Sequence, residues 1–163
     1  MTQPPAASAY ELVMALHIMA VVAAFGVTFA YPIIFAVGAK TQPRAMPLLH
    51  RIEYTIERWL VNPSLLVVFA AGIYLASDGH HWSEFFVQWG FAVVIVIGAL
   101  VGSVMIPTSK KAQQAAERDI AAAGDGEVVF GEEYQGLARR LNFVGTTLSA
   151  LVLLTIVFMV VKP

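Results

Sequence analysis

The sequence predicts an all-α polytopic membrane protein, a single domain in which four transmembrane helices form an up-down bundle. The chain of 163 residues is 58% apolar and only 13% charged, so it is far more hydrophobic than a typical soluble domain. Its apolar residues fall in four segments, each long enough to cross the hydrocarbon core of a bilayer. Because the chain returns through the bilayer after each span, consecutive helices should run antiparallel. The predicted spans cover residues 11–39, 59–76, 84–106 and 141–161.

Prolines and small residues predict where these spans bend and pack. Pro32 should kink the long first span, because proline removes a backbone donor and clashes with the preceding turn. Asn62-Pro63 should break the second span locally and leave backbone carbonyls without partners. Small residues let membrane helices approach closely, so we expect spans three and four to meet through their small faces. Those faces contain Gly98, Gly102, Gly145 and Ser149.

Two stretches are expected outside the bilayer. Residues 1–9 are small and polar with two prolines, and they predict a tail before the first helix. Residues 110–123 are rich in Ala and Gln and carry charges, so they predict a polar helix beyond the membrane. The first span itself should be a retained helix and not a signal peptide, because no Lys or Arg precedes it and its apolar run is too long.

The basic residues predict the orientation. Nine of the ten Lys and Arg residues flank the first connection or lie in the third, and only Lys162 lies at the other end. The positive-inside rule therefore predicts that both termini are outside and both charged connections are cytoplasmic. The expected location is the inner (plasma) membrane of a bacterium, with the lipid bilayer as the first partner and other membrane subunits or copies of the chain as further candidates.

Composition excludes several kinds of function. The absence of cysteine excludes disulfides, thiolate catalysis and thiolate metal sites. A net charge of −1 argues against a nucleic-acid partner, which needs a basic surface. The sequence also contains no phosphate-binding glycine loop, no nucleophile elbow and no metalloprotease motif. Whether the protein is an enzyme stays open at this stage.

His17 is the ionisable residue that we expect inside the first span. A group at that depth normally faces the interior of the bundle and has a partner there. Neutral imidazole is also a good axial ligand for haem iron. Three roles are therefore open for His17: a hydrogen bond to a neighbouring helix, ligation of haem or another metal, and proton transfer.

Four other polar residues are expected near the depth of His17 or above it. Tyr74 and Gln88 lie on spans two and three, and His80 and His81 lie in the connection between those spans. Adjacent histidines do not share a helix face, but in a loop they could cap a site. We predict that these residues contribute to a cofactor site with His17. The alternative is that His80 and His81 belong to a solvated loop.

A second polar cluster is predicted at the cytoplasmic ends of spans two and four. Glu53 and Glu57 lie four residues apart and therefore share one helix face. Charges at this depth could pair with one another, satisfy the bent backbone near Pro63, or hold an anionic lipid headgroup. The alternative is an ordinary positive flank. The cluster consists of Arg51, Glu53, Glu57, Arg58, Asn62 and Asn142.

Several short motifs resemble known membrane families. They are Ala15-Leu16-His17-Ile18 followed by Gly26, then His50-Arg51-Ile52-Glu53, Asn62-Pro63 and Gly72. Together they resemble an uncharacterised bacterial family of four-helix integral membrane proteins. More distantly, spans one and two are similar to the membrane protoporphyrinogen oxidase family and to the copper-resistance membrane proteins. The resemblance to the oxidase family implies that His17 ligates b-type haem. Unlike that family, this chain has no lysine or histidine inside its third span.

The sequence thus favours a membrane protein that binds haem b through His17 and has a redox or electron-transfer role. One alternative is a non-catalytic subunit or assembly partner in a membrane complex. Another is a small transporter.

Overall fold

The computed structural model describes residues 8–163, and in that part of the chain the only regular structure is helical. The expected tail therefore lies almost wholly outside the described residues. Ser8 begins the first helix: its hydroxyl accepts a hydrogen bond from the Glu11 backbone nitrogen at 3.2 Å, and Glu11 accepts one from the Ser8 nitrogen. The α-helices are α1 (Ala9–Phe25), α2 (Tyr31–Thr41), α3 (Met46–Ile56), α4 (Asn62–Asp78), α5 (Phe85–Leu100), α6 (Ile106–Ala123) and α7 (Glu132–Val161).

These helices join into four rods that are long and apolar enough to cross a membrane, as the sequence predicts. The rods are Ala9–Thr41, Pro43–Asp78, Phe85–Ala123 and Glu132–Val161. We call the end of the bundle that holds residues 42 and 124–131 the charged end, and the opposite end the termini end. α1 packs mainly against α4 and α5 against α7, whereas at the charged end α6 packs against both α3 and α7.

The first rod is interrupted near Pro32. α1 ends at Phe25, a 3₁₀ turn covers Thr28–Ala30, and α2 then begins with Pro32 in its first turn. Proline is well tolerated there because the first amides of a helix need no intrahelical partner. The Thr28 hydroxyl donates to the Phe25 carbonyl at 2.7 Å, which satisfies one of the groups that the interruption frees.

The second and third rods each contain a π turn that ends just before a proline. One covers Glu57–Val61 and precedes Pro63, and the other covers Val101–Met105 and precedes Pro107. In the first turn the Asn62 amide bonds to the Glu57 carbonyl, five residues back. Proline cannot donate its own bond, so the chain widens locally to use the freed carbonyls. The predicted disturbance at Asn62-Pro63 takes this form.

The rods extend well beyond a bilayer at the charged end. The third rod has 39 residues and is therefore about 58 Å long, against about 30 Å for the hydrocarbon core. The polar segment predicted at residues 110–123 is thus continuous with the third span, and Pro107 does not end the helix. This segment, part of α6, packs on α3 and α7. In the connection that follows it, the carbonyls of Gly124 and Gly126 accept hydrogen bonds from Arg44 at 2.6 and 2.8 Å.

The expected contact between the small faces of spans three and four does not form. A Cβ atom added to Gly98 or Gly102 would meet no atom within 4 Å among residues 8–163. Gly98 lies near the end of α5 and Gly102 lies within the π turn at Val101–Met105, and larger side chains make the core instead: Val93, Ile97, Val101 and Met105 are buried. The prediction was wrong because a four-residue glycine spacing does not say which face is packed. Further towards the termini end, α5 and α7 are joined by a hydrogen bond that Trp89 donates to the Thr155 hydroxyl at 3.0 Å.

Candidate functional site

Two cavities lie between the helices, one above the other along the bundle. The Glu57 cavity, near the charged end, has a volume of about 370 Å³ and is bounded by the ends of α1 and α3, by α2 and α7, and by both π turns. The His17 cavity, near the termini end, has a volume of about 560 Å³ and lies among α1, α4, α5 and α7. Phe25, Ile97 and Val152 line both cavities and so form the wall between them.

A buried hydrogen-bonded chain lies on one side of the Glu57 cavity. The Nδ1 atom of His50 lies 3.2 Å from a carboxylate oxygen of Glu53, and the same oxygen accepts a bond from the Ser109 hydroxyl at 2.7 Å. The Nε2 atom of His50 lies 3.2 Å from the Tyr134 hydroxyl. His50 and Glu53 are only 2% and 3% exposed. These hydrogen bonds therefore join α3 to α6 and α7, and they give Glu53 two polar partners.

Glu57 has a different environment from Glu53. It is 3% exposed, and its Oε2 atom is buried without a hydrogen-bond partner among residues 8–163. The Tyr31 hydroxyl, on α2, is likewise buried and unpartnered in the described part of the chain. Both residues line the Glu57 cavity. Buried polar atoms normally have partners, so two such atoms on one cavity make it a candidate binding site.

The local sequence explains why these side chains meet. His50, Glu53 and Glu57 are three and four residues apart, so they lie along one face of α3 and of the π turn that follows it. The π turn begins at Glu57 and ends two residues before Pro63. Tyr31 lies at the start of α2, just after the interruption of the first rod. Irregular backbone in three places thus surrounds the cavity, as is common where membrane helices bind a ligand.

The His17 cavity has mostly apolar walls. The Nδ1 atom of His17 is buried and has no hydrogen-bond partner within residues 8–163. Gly72 lies opposite the ring: a Cβ atom added there would be 3.8 Å from the His17 Cε1 atom, in ordinary contact. His81 lines the same cavity. Two imidazoles therefore line one apolar space, and a ring nitrogen of one of them has no partner in the described part of the chain.

The other residues predicted to lie with His17 are placed elsewhere. Tyr74, Gln88 and His80 are exposed and are not among the residues that line the His17 cavity. Gln88 donates to the Trp82 carbonyl at 3.3 Å, and the His80 Nδ1 atom lies 3.1 Å from the Asp78 carbonyl. No group of three or more His, Asp or Glu residues in the described part of the chain is arranged to hold a metal ion.

The structure also places only some residues of the predicted charged cluster at the Glu57 cavity. Glu53, Glu57 and Asn142 line the Glu57 cavity, whereas Arg51 and Arg58 are exposed and Asn62 lies outside the lining. Arg58 lies over the Trp59 ring at 5.8 Å.

The sequence interpretation missed three contributors to this site, which are Tyr31, His50 and Tyr134. The i, i+3, i+7 spacing of His50, Glu53 and Glu57 could have revealed the histidine, but no local signal links Tyr31 or Tyr134 to it.

Comparison with known proteins decides the family. Residues 11–163 match the model of a family described as "Predicted integral membrane protein (DUF2269)". The chain belongs to this family. The DUF2269 description agrees with the four apolar rods, so the protein is an integral membrane protein that lies in a lipid bilayer. No curated protein matches this DUF2269 chain, and no solved structure does.

Proposed function

We propose that this protein binds b-type haem in the His17 cavity and has a redox or electron-transfer role in the membrane. The observation that carries the proposal is the buried, unpartnered Nδ1 atom of His17 on the wall of a cavity of about 560 Å³. Cofactor cavities in proteins have volumes of about 300–1,000 Å³ and mostly apolar walls with few polar groups. The resemblance of span one to the membrane protoporphyrinogen oxidase family points to the same histidine.

The residues of this chain would hold the group in defined ways. His17 would hold the haem iron through its imidazole, and His81 would be a second candidate ligand because it lines the same cavity. Apolar walls exclude water, and the missing side chain at Gly72 leaves space beside the His17 ring. When bound, haem supplies reversible one-electron transfer.

An absorption spectrum tests the proposal directly. The protein should be expressed with added haem precursor, purified in detergent, and recorded before and after reduction. The wild type should show a Soret band that shifts on reduction, and His17→Ala should remove it while helicity and yield stay unchanged, because alanine is a good helix former. His80→Ala is the matched control, since His80 is exposed and lies outside the cavity lining.

A second variant separates loss of the ligand from loss of space. Gly72→Leu keeps His17 but places a side chain in the cavity, so it should also remove the Soret band from a folded protein. A wild type without a Soret band, or a His17→Ala protein that binds haem normally, would contradict the haem proposal. The subunit or assembly-partner alternative would then explain the protein better.

We also propose that the protein lies in the plasma membrane of a bacterium with the charged end in the cytoplasm and both termini outside. Nine of ten Lys and Arg residues support this orientation through the positive-inside rule. In that orientation the His17 cavity is near the outer surface, and the Glu57 cavity is near the cytoplasmic surface.

A further inference from the structure

We propose that the Glu57 cavity binds an organic cation with an apolar body, whose positive group pairs with the Glu57 carboxylate. The inference concerns a cavity that the haem proposal does not use, and either proposal can fail without the other. It rests on the charge balance of the cavity, on two unpartnered buried polar atoms, and on the way the cavity opens.

The charge balance favours a cationic ligand. Two carboxylates, Glu53 and Glu57, line a largely apolar space and are each 3% exposed. Glu53 has polar partners in His50 and in the Ser109 hydroxyl. Glu57 forms no ion pair with any Lys, Arg or His in residues 8–163. Arg139 also lines the cavity, but it is exposed and belongs to the rim. An ionisable group at this depth normally has a partner, so a bound cation would supply the missing one.

The Tyr31 hydroxyl is an independent indication of a ligand. It belongs to a different rod from Glu57, it is 9% exposed as a residue, and its oxygen is buried without a partner in the described part of the chain. Tyr31 and its neighbour Phe35 pack edge to face at 6.3 Å, and both line the cavity. Aromatic faces attract cations, and this attraction strengthens where water is excluded.

The opening of the cavity favours a ligand that arrives from the bilayer. Its rim includes exposed residues of α2 and of α7, and these two helices make no extensive contact in the described structure. The rim on α2 is apolar and consists of Pro32, Ala36 and Ala39. The gap between α2 and α7 therefore faces lipid. A small hydrated ion would not use such a path, whereas a cation with an apolar body partitions into the membrane first.

A pair of ions with closely similar shapes and opposite charges provides the test. Tetraphenylphosphonium and tetraphenylborate are such a pair. Binding of each to the purified full chain in detergent should be measured by equilibrium dialysis, with empty micelles subtracted. We expect saturable binding of the phosphonium and none of the borate. Glu57→Gln should weaken phosphonium binding by about 10-fold to 100-fold, because it removes the charge and keeps the shape.

Two further variants make the result specific. Tyr31→Phe should weaken phosphonium binding by a few fold, whereas Glu127→Gln, at an exposed carboxylate away from the cavity, should leave it unchanged. Because Glu57 Oε2 has no partner within residues 8–163, the glutamine variant should unfold at the same temperature as the wild type or higher. Equal binding of both ions, no saturable phosphonium binding, or wild-type phosphonium affinity in a folded Glu57→Gln protein would overturn the proposal.

Discussion

His50 and Tyr134 lie 84 positions apart in the chain, yet the His50 Nε2 atom is 3.2 Å from the Tyr134 hydroxyl. Both residues are buried, and the ring of Tyr134 also packs on Phe130 with ring centres 4.3 Å apart. This contact helps to hold the charged end of the bundle together, since it connects α3, in the second rod, to the start of α7.

The first prediction concerns this contact. Tyr134→Phe should lower the free energy of unfolding by about 1–3 kcal/mol, because it leaves a buried imidazole nitrogen without its partner. The measurement is thermal or denaturant unfolding in detergent, followed by circular dichroism. Tyr54→Phe is the matched control on α3, since Tyr54 has no side-chain hydrogen bond among the described residues, and its loss should be below about 0.5 kcal/mol. Equal losses in both variants would mean that the His50–Tyr134 bond contributes nothing specific.

Much of the fold follows from the sequence, because the physics that forms it is local. The bilayer forces each apolar segment of sufficient length into a helix, so four spans can be read from hydropathy alone. The prolines also indicated where the first and second rods would be irregular. By contrast, the composition of residues 110–123 indicated a polar helix beyond the membrane but not its connection to the third span, and the structure shows that the helix continues through Pro107 after a π turn.

The candidate site was only partly predictable, for a physical reason. Glu53 and Glu57 share a helix face, and that face can be recognised from their spacing in the sequence. Tyr31 and Tyr134 lie near these carboxylates because of the way the rods pack together. That packing depends on the rotation of each helix about its axis, and no short sequence pattern encodes this rotation. The same limit applies to His17, whose depth could be estimated but whose neighbours Gly72 and His81 could not be separated from Tyr74 and Gln88.

The second prediction tests the packing of two glycines. In Gly38→Leu the new side chain meets Leu49 and Met46 of α3, since an added Cβ would already lie 2.5 Å from a Leu49 methyl carbon and 3.3 Å from the Met46 sulfur. Overpacking of this kind costs about 1–3 kcal/mol. Gly98→Leu should be neutral or stabilising, because a Cβ there meets nothing within 4 Å among residues 8–163. Unfolding temperatures in detergent compare the two, and a greater loss for Gly98→Leu would show that this face is covered.

The third prediction concerns the orientation of the chain. The protein has no cysteine, so single cysteines can be introduced at will. Ser83→Cys, in the connection at the termini end, should react with a membrane-impermeant maleimide in intact cells. Glu127→Cys, at the charged end, should react only after the membrane is permeabilised. Both positions are exposed, so a difference in labelling reports the side of the membrane. Labelling of Glu127→Cys alone in intact cells would reverse the proposed orientation.

The π turn at Val101–Met105 lies near the middle of the third rod and sets the angle between α5 and α6. α6 continues from that turn for 18 residues, about 27 Å, with Ala123 at its far end. A tilt of about 5° at the turn displaces Ala123 by about 2 Å over that length. Because Arg44 is bonded to the carbonyls of Gly124 and Gly126, a change of angle at the π turn would also shift the connection that leads into α3. The packing of α6 on α3 and α7 opposes such a shift, so the geometry of the π turn and the position of the charged end are coupled.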